Sequence, residues 1–150
     1  MRRWMAVAAV MMVLPSVAVS QGEEAAESPS SPGRAEFNLL DLIDNPPPPD
    51  QETVVRTLTH SDEVSLQLIW LRVGVKPHYH ARHAETVVIL RGMGRFRIGE
   101  NTFDAAPGDA FLIPPGTVHS FEVTEEGPVA AVTTFSPGFD GKDRVFVEEP

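Results

Sequence analysis

His78 and His80, two residues apart, and Glu85 five residues further on are side chains of the kind that hold divalent metal ions. In an extended strand, positions i and i+2 point to the same face about 7 Å apart, so two imidazoles at this spacing can converge on one ion. Pro77 and Tyr79 then face the other way. Ala81 to Ala84 supply a turn, and Glu85 opens the next strand, which can return its carboxylate beside the two rings. A further candidate, His119, follows the Pro114-Pro115-Gly116 turn far along the chain and reaches the others only if the fold delivers it. The chain has no cysteine, so no thiolate is available as ligand or nucleophile, and soft-metal chemistry is disfavoured.

Strands must position these groups. Val64, Leu66, Leu68 and Trp70 alternate with Ser65 and Gln67, the two-residue period of a half-buried strand. Further strands are predicted at 53–59, 86–90, 95–98, 110–113, 117–123 and 129–135. Turn signals separate them at Gly92-Met93-Gly94, Gly99-Glu100-Asn101, Pro107-Gly108-Asp109, Pro114-Pro115-Gly116 and Glu126-Gly127-Pro128. No stretch after Thr53 has a helical period, and there is no internal repeat. Many short strands at this spacing predict an all-β fold, a single sandwich or barrel.

The stretch His78-x-His80-x4-Glu85-x6-Gly92 resembles the first motif of the cupins, and Gly108-x5-Pro114-x-Gly116-x2-His119 resembles the second. Fifteen residues separate Gly92 from Gly108, within the range cupins use between their motifs. The similarity runs from about Thr53 to Phe135 and agrees with the strand order. It implies a single jelly-roll (cupin) β-barrel, placed here at 53–150, whose interior binds one divalent metal through three histidines and one glutamate. By motif position those ligands are His78, His80, Glu85 and His119. Two positions depart from the family pattern. A glycine usually stands six residues before the first histidine, where this chain has Arg72; Gly74 is close but out of register, which implies a tighter turn. The second motif usually ends in asparagine four residues after its histidine, where this chain has Val123. Neither position is a ligand.

The glycines and prolines at 92, 108, 114 and 116 are turn residues that closing a barrel needs whether or not metal binds, so they support the fold alone. A lone His119 would more often be a satisfied polar residue than a ligand. Four ligand-type side chains held together are harder to explain without an ion, because burying them unused costs desolvation energy. His83 is the rival ligand, but its spacing from His80 suits a helix turn better than a strand; a solvated loop position or a place behind the ligands fits it better. Val87, Phe96 and Phe121 share the parity of inward residues and are candidates to line a pocket, although packing alone would explain them. Arg95 and Arg97 flank Phe96 and are expected to face solvent. Three imidazoles with one carboxylate suit one divalent transition metal ion, such as Mn, Fe, Co, Ni, Cu or Zn, better than Mg or Ca, which prefer all-oxygen shells.

At its start the chain reads as a signal peptide over residues 1–20. Arg2 and Arg3 precede the apolar run Trp4 to Leu14, Pro15 breaks it, and Ala18-Val19-Ser20 offers a cleavage site. The apolar run is too short to span a bilayer, which weighs against a retained anchor. The expectation is therefore an exported protein, periplasmic or secreted, with no stable membrane anchor after cleavage. Cleavage removes two arginines and no acids, moving the net charge from −9 to −11. Such a charge excludes a nucleic-acid partner, which would need clustered lysine and arginine. Residues 21–52 read as a disordered, Pro-rich linker carrying an apolar island at 37–43, which could pack on the barrel or on a neighbouring subunit. That island and the sheet edges together predict a homodimer. Two functions fit: a metal-dependent oxygenase, oxidase or decarboxylase acting on a small oxygenated substrate, or a non-catalytic module sequestering a metal or small polar ligand.

Overall fold

Alternating side chains after Thr53 become ten short strands in a computed structural model that describes residues 37–125 and 127–148. The signal peptide expected at 1–20 and the linker up to residue 36 lie outside the described residues. The strands are β1 (Thr53–His60), β2 (Ser65–Leu71), β3 (Gly74–Tyr79), β4 (Ala84–Arg91), β5 (Gly94–Ile98), β6 (Asn101–Ala105), β7 (Ala110–Ile113), β8 (His119–Val123), β9 (Val129–Ser136) and β10 (Val145–Phe146). They form two antiparallel five-stranded sheets, ordered β1-β2-β9-β4-β7 and β10-β3-β8-β5-β6. The chain crosses repeatedly from one sheet to the other, which is the all-β jelly-roll barrel the motifs implied. Two strands had no sequence signal. β6 sits at a sheet edge with most of its side chains exposed, and β10 is only two residues long.

The interior between the sheets is apolar, built from Leu71, Val87, Ile89, Phe96, Phe121 and Val129. A second cluster lies on the other face of the first sheet, where Leu58, Leu68, Trp70, Ala130 and Val132 receive Ile43. Strand β2 is therefore buried on both faces rather than one. Its apolar alternation at Leu66, Leu68 and Trp70 marks the outer cluster, while Ser65, Gln67, Ile69 and Leu71 have the opposite parity. Close approach also explains the displaced glycine. Gly74 has φ +135°, and a Cβ there would overlap the Phe121 carbonyl oxygen on the neighbouring strand.

The apolar island folds as the short helix α1 (Leu39–Ile43) and covers the outer cluster of its own barrel. Asn38 caps it, its side-chain oxygen accepting from the N–H groups of Leu40 and Asp41 at 3.1 and 3.4 Å. Arg91 holds the other end, donating to the Ile43 carbonyl and the Asp44 carboxylate, each at 2.6 Å. Arg72, at the departed motif position, donates to the Pro47 carbonyl at 3.0 Å and ties down the following segment. Ile43→Ala should cost about 2 kcal/mol, the low end for such a truncation because a surface arm can settle into the gap. Leu40→Ala, at a side chain 65 % exposed, should stay within about 0.5 kcal/mol of wild type. Urea unfolding of both variants checks this, and equal effects would mean the arm is not seated on its barrel.

Candidate metal centre

Strand pairing brings the four separated ligand candidates together. β3 and β8 are antiparallel neighbours whose register sets His78 directly opposite His119. His80 lies one residue beyond the end of β3, and Glu85 sits near the start of β4 in the facing sheet. A register shift between Val75 and His78 means that β3 is not a regular strand at the site. All four side chains are buried, and one donor atom from each lies within 4.8 Å of the others.

Each imidazole is fixed from behind by a main-chain carbonyl. Nδ1 of His78 donates to Lys76 at 2.8 Å, that of His80 to Asp143 at 2.7 Å, and that of His119 to Thr117 at 2.9 Å. A carbonyl only accepts, so each proton resides on Nδ1 and each Nε2 presents a lone pair. The Glu85 Oε2 lies 3.0 Å from His119 Nε2 and 3.6 Å from His80 Nε2. All three atoms are buried without a hydrogen-bond partner. Lone pairs so placed repel one another unless a proton or a cation lies between them, which is the arrangement a metal site requires. Burial, with a smaller contribution from His119, holds the His78 pKa down at about 4, and burial also depresses that of His80. Both rings are consequently neutral, as ligands must be, near pH 7. These four residues could hold a metal ion.

The cluster adjoins a cavity of about 60 Å³ between the sheets, lined by Val87, Phe96 and Phe121 together with His78, Glu85 and His119. Phe96 meets Phe121 edge-on at 5.5 Å and His119 at 6.3 Å, so the aromatic wall continues into the ligand set. Arg95 and Arg97 are exposed, as their parity required, and Arg95 pairs with Glu122 at 3.3 Å.

His83 is buried rather than solvated and is not among the clustered ligands. Its Nδ1 donates to the Asp143 carboxylate at 2.6 Å, and its Nε2 faces the Gly138 carbonyl at 3.2 Å. Asp143 thus faces two ways, its carbonyl orienting His80 and its carboxylate holding His83 and the Arg82 N–H, the latter at 2.8 Å. Sequence reasoning missed Asp143, because it lies beyond the second motif in a Gly-rich loop without periodicity. The missed cavity residues Thr133 and Arg144 have no motif either.

A two-sheet jelly-roll barrel with three buried histidines and a carboxylate turned to one interior point defines a class of β-barrel whose interior could hold a metal ion. Residues 72–135 match the family model of the cupin domain. An uncharacterized protein of Aquifex aeolicus (strain VF5) is 36% identical over 98 residues, covering 65% of this chain and 80% of that one. This chain belongs to the cupin family. Among solved structures, an uncharacterized conserved protein with a double-stranded beta-helix domain from Klebsiella pneumoniae shares the fold at a TM-score of 0.59 and 18% identity, covering 69% of this chain and 90% of that one. Pac13 of Streptomyces, described as a unique nucleoside dehydratase, does so at a TM-score of 0.55 and 19% identity, covering 65% and 79%.

Proposed function

We propose that this cupin is an exported metal-dependent enzyme of the oxygenase, oxidase or decarboxylase type, acting on a small oxygenated organic molecule. The observation that carries the reading is the orphaned trio of His80 Nε2, His119 Nε2 and Glu85 Oε2 beside an apolar cavity. A divalent transition metal held by these groups with His78 would supply Lewis acidity and, if redox-active, electron transfer. A donor set of three nitrogens and one oxygen favours Mn, Fe, Ni, Cu or Zn over harder ions. The residues of the chain supply the rest. Phe96, Phe121 and Val87 exclude water and raise the strength of every charge interaction inside. Glu85 is the one carboxylate on the cavity wall among the described residues, so it is the group placed to accept a proton there. Pac13, with the same fold, shows that such a barrel can house catalysis.

A module that only sequesters metal is the second reading, favoured by the lack of any acid or base on the described cavity wall outside the ligand set. Element-resolved mass spectrometry of protein exported by its own leader, with His78→Ala as blank, should find close to one transition metal per chain. The loaded protein should then turn over a small oxygenated compound or consume O₂. Metal bound without turnover under any loading would transfer the case to sequestration. Homodimer formation belongs to the same proposal, supported by the exposed sheet-edge residues Val145 and Phe146, and a monomer mass by light scattering would remove it.

A further inference from the structure

Arg144 stands where a site built only to store metal would not place it. It belongs to the segment between β9 and β10, outside the stretch matched by the family model, and lines the same cavity as His78, Glu85 and His119. It is the only lysine or arginine on that wall among the described residues, and it makes no hydrogen bond or ion pair with any of them. Being solvent-exposed overall while lining the cavity, it sits at the boundary between the interior and water. Its positive charge, on the wall that also carries His78, Glu85 and His119, must oppose a divalent cation held there on Coulombic grounds. A second group awaits a partner in this space. Thr133 is 2% exposed, its Oγ1 is buried without a hydrogen bond, and the alternation of β9 sets it on the cavity side with Val129 and Ala131.

Three neutral imidazoles and one carboxylate leave a divalent ion with a net charge of about +1, and Arg144 raises the local charge to about +2 beside apolar walls. Such an excess is relieved by an anion. We infer that Arg144 and Thr133 form a recognition subsite that selects a small carboxylate anion as the molecule bound at the metal centre. The inference rests on the metal-dependent reading and names its substrate class. The cavity, about 60 Å³, has room for about five water-sized groups, which limits the anion to a short chain. Arg144 presents donors matched to a carboxylate, and Thr133 offers a hydroxyl to a further oxygen.

The test uses cobalt-loaded full-length protein, whose visible absorption reports ligand binding, titrated with glycolate and with glycolamide, its uncharged isostere. Wild type should bind glycolate more tightly than glycolamide. Arg144→Gln should weaken glycolate about 10- to 100-fold, leave glycolamide within about twofold, and take up cobalt at least as tightly as wild type. Arg144→Lys should recover part of the loss, and Thr133→Val should weaken glycolate by several-fold. An Arg144→Gln protein that binds glycolate as wild type does, or loses both compounds equally, would overturn the subsite while leaving the metal centre standing. Wild type that takes up no cobalt would overturn the metal-dependent reading and the subsite with it. Because Arg144 is exposed, its variants should melt with wild type; the Arg144→Lys protein tests the charge even if Arg144→Gln is less stable.

Discussion

Supplying a fitting transition metal at about a thousand times its dissociation constant should raise the unfolding free energy by about 4 kcal/mol, and His119→Ala should erase about two-thirds of that gain or more. The first figure is mass action, since the four ligands converge only in the folded barrel. The second follows from the register that sets His119 opposite His78 and 3.0 Å from the Glu85 carboxylate. Losing a group that merely orients a ligand weakens metal binding about 10- to 100-fold, so losing the ligand itself should exceed about 100-fold. The metal-free proteins should behave differently. Truncating His119 takes a lone pair away from the Glu85 oxygen, which offsets part of the packing lost beside Phe96. The variant should therefore suffer much more with metal than without. Unfolding curves with and without metal, read beside metal stoichiometry, check this; an equal metal-induced gain in both proteins would mean that His119 is no ligand.

How much of this was legible in the sequence depended on whether a feature was local. Strand alternation, turn glycines and the close spacing of His78, His80 and Glu85 are short-range signals, and they located the barrel and most of the candidate site. His119 carried no local signal and was placed by its motif; the structure gives the physical reason in the β3–β8 pairing. The apolar alternation of β2 located the strand but concealed which face would meet the interior. Leu66, Leu68 and Trp70 turn outward because α1 covers them, and periodicity cannot say which of two apolar surfaces is the barrel interior. Ser65 and Gln67, which looked like a solvent-facing set, are buried. Asp143, Arg144 and Thr133 were illegible for another reason. Each is placed by the tertiary fold, Asp143 bonding across 60 residues to His83 while Arg144 and Thr133 join one cavity wall, and no spacing rule reaches that far.

Asp143→Ala should cost about 2–3 kcal/mol, the upper part of the range for losing hydrogen bonds to a charged group and leaving a buried donor unpaired. The carboxylate holds His83 and the Arg82 N–H, and its loss leaves the His83 Nδ1 donor buried and unpaired. The damage should pass to the metal centre, because the same residue's carbonyl fixes the His80 ring. Once that segment loosens, metal affinity should fall about 10- to 100-fold although no ligand has changed. An acid titration identifies the group responsible. Burial opposes ionisation of Asp143, yet the hydrogen bonds from Arg82 and His83 outweigh it and hold the pKa at about 2, against an ordinary value of 3.8. A carboxylate whose pKa is depressed on folding stabilises above its unfolded pKa, and that contribution fades as pH falls through the folded one. The stability gap between wild type and Asp143→Ala should therefore be constant from pH 7 down to about 4 and narrow from there towards pH 2. Asp143→Asn, which keeps the shape and one acceptor, should lose less stability at pH 7 and show the same narrowing. Urea unfolding across that range measures the gap, and curves that stay parallel down to pH 2 would show that the charge on Asp143 does not hold this corner of the barrel together.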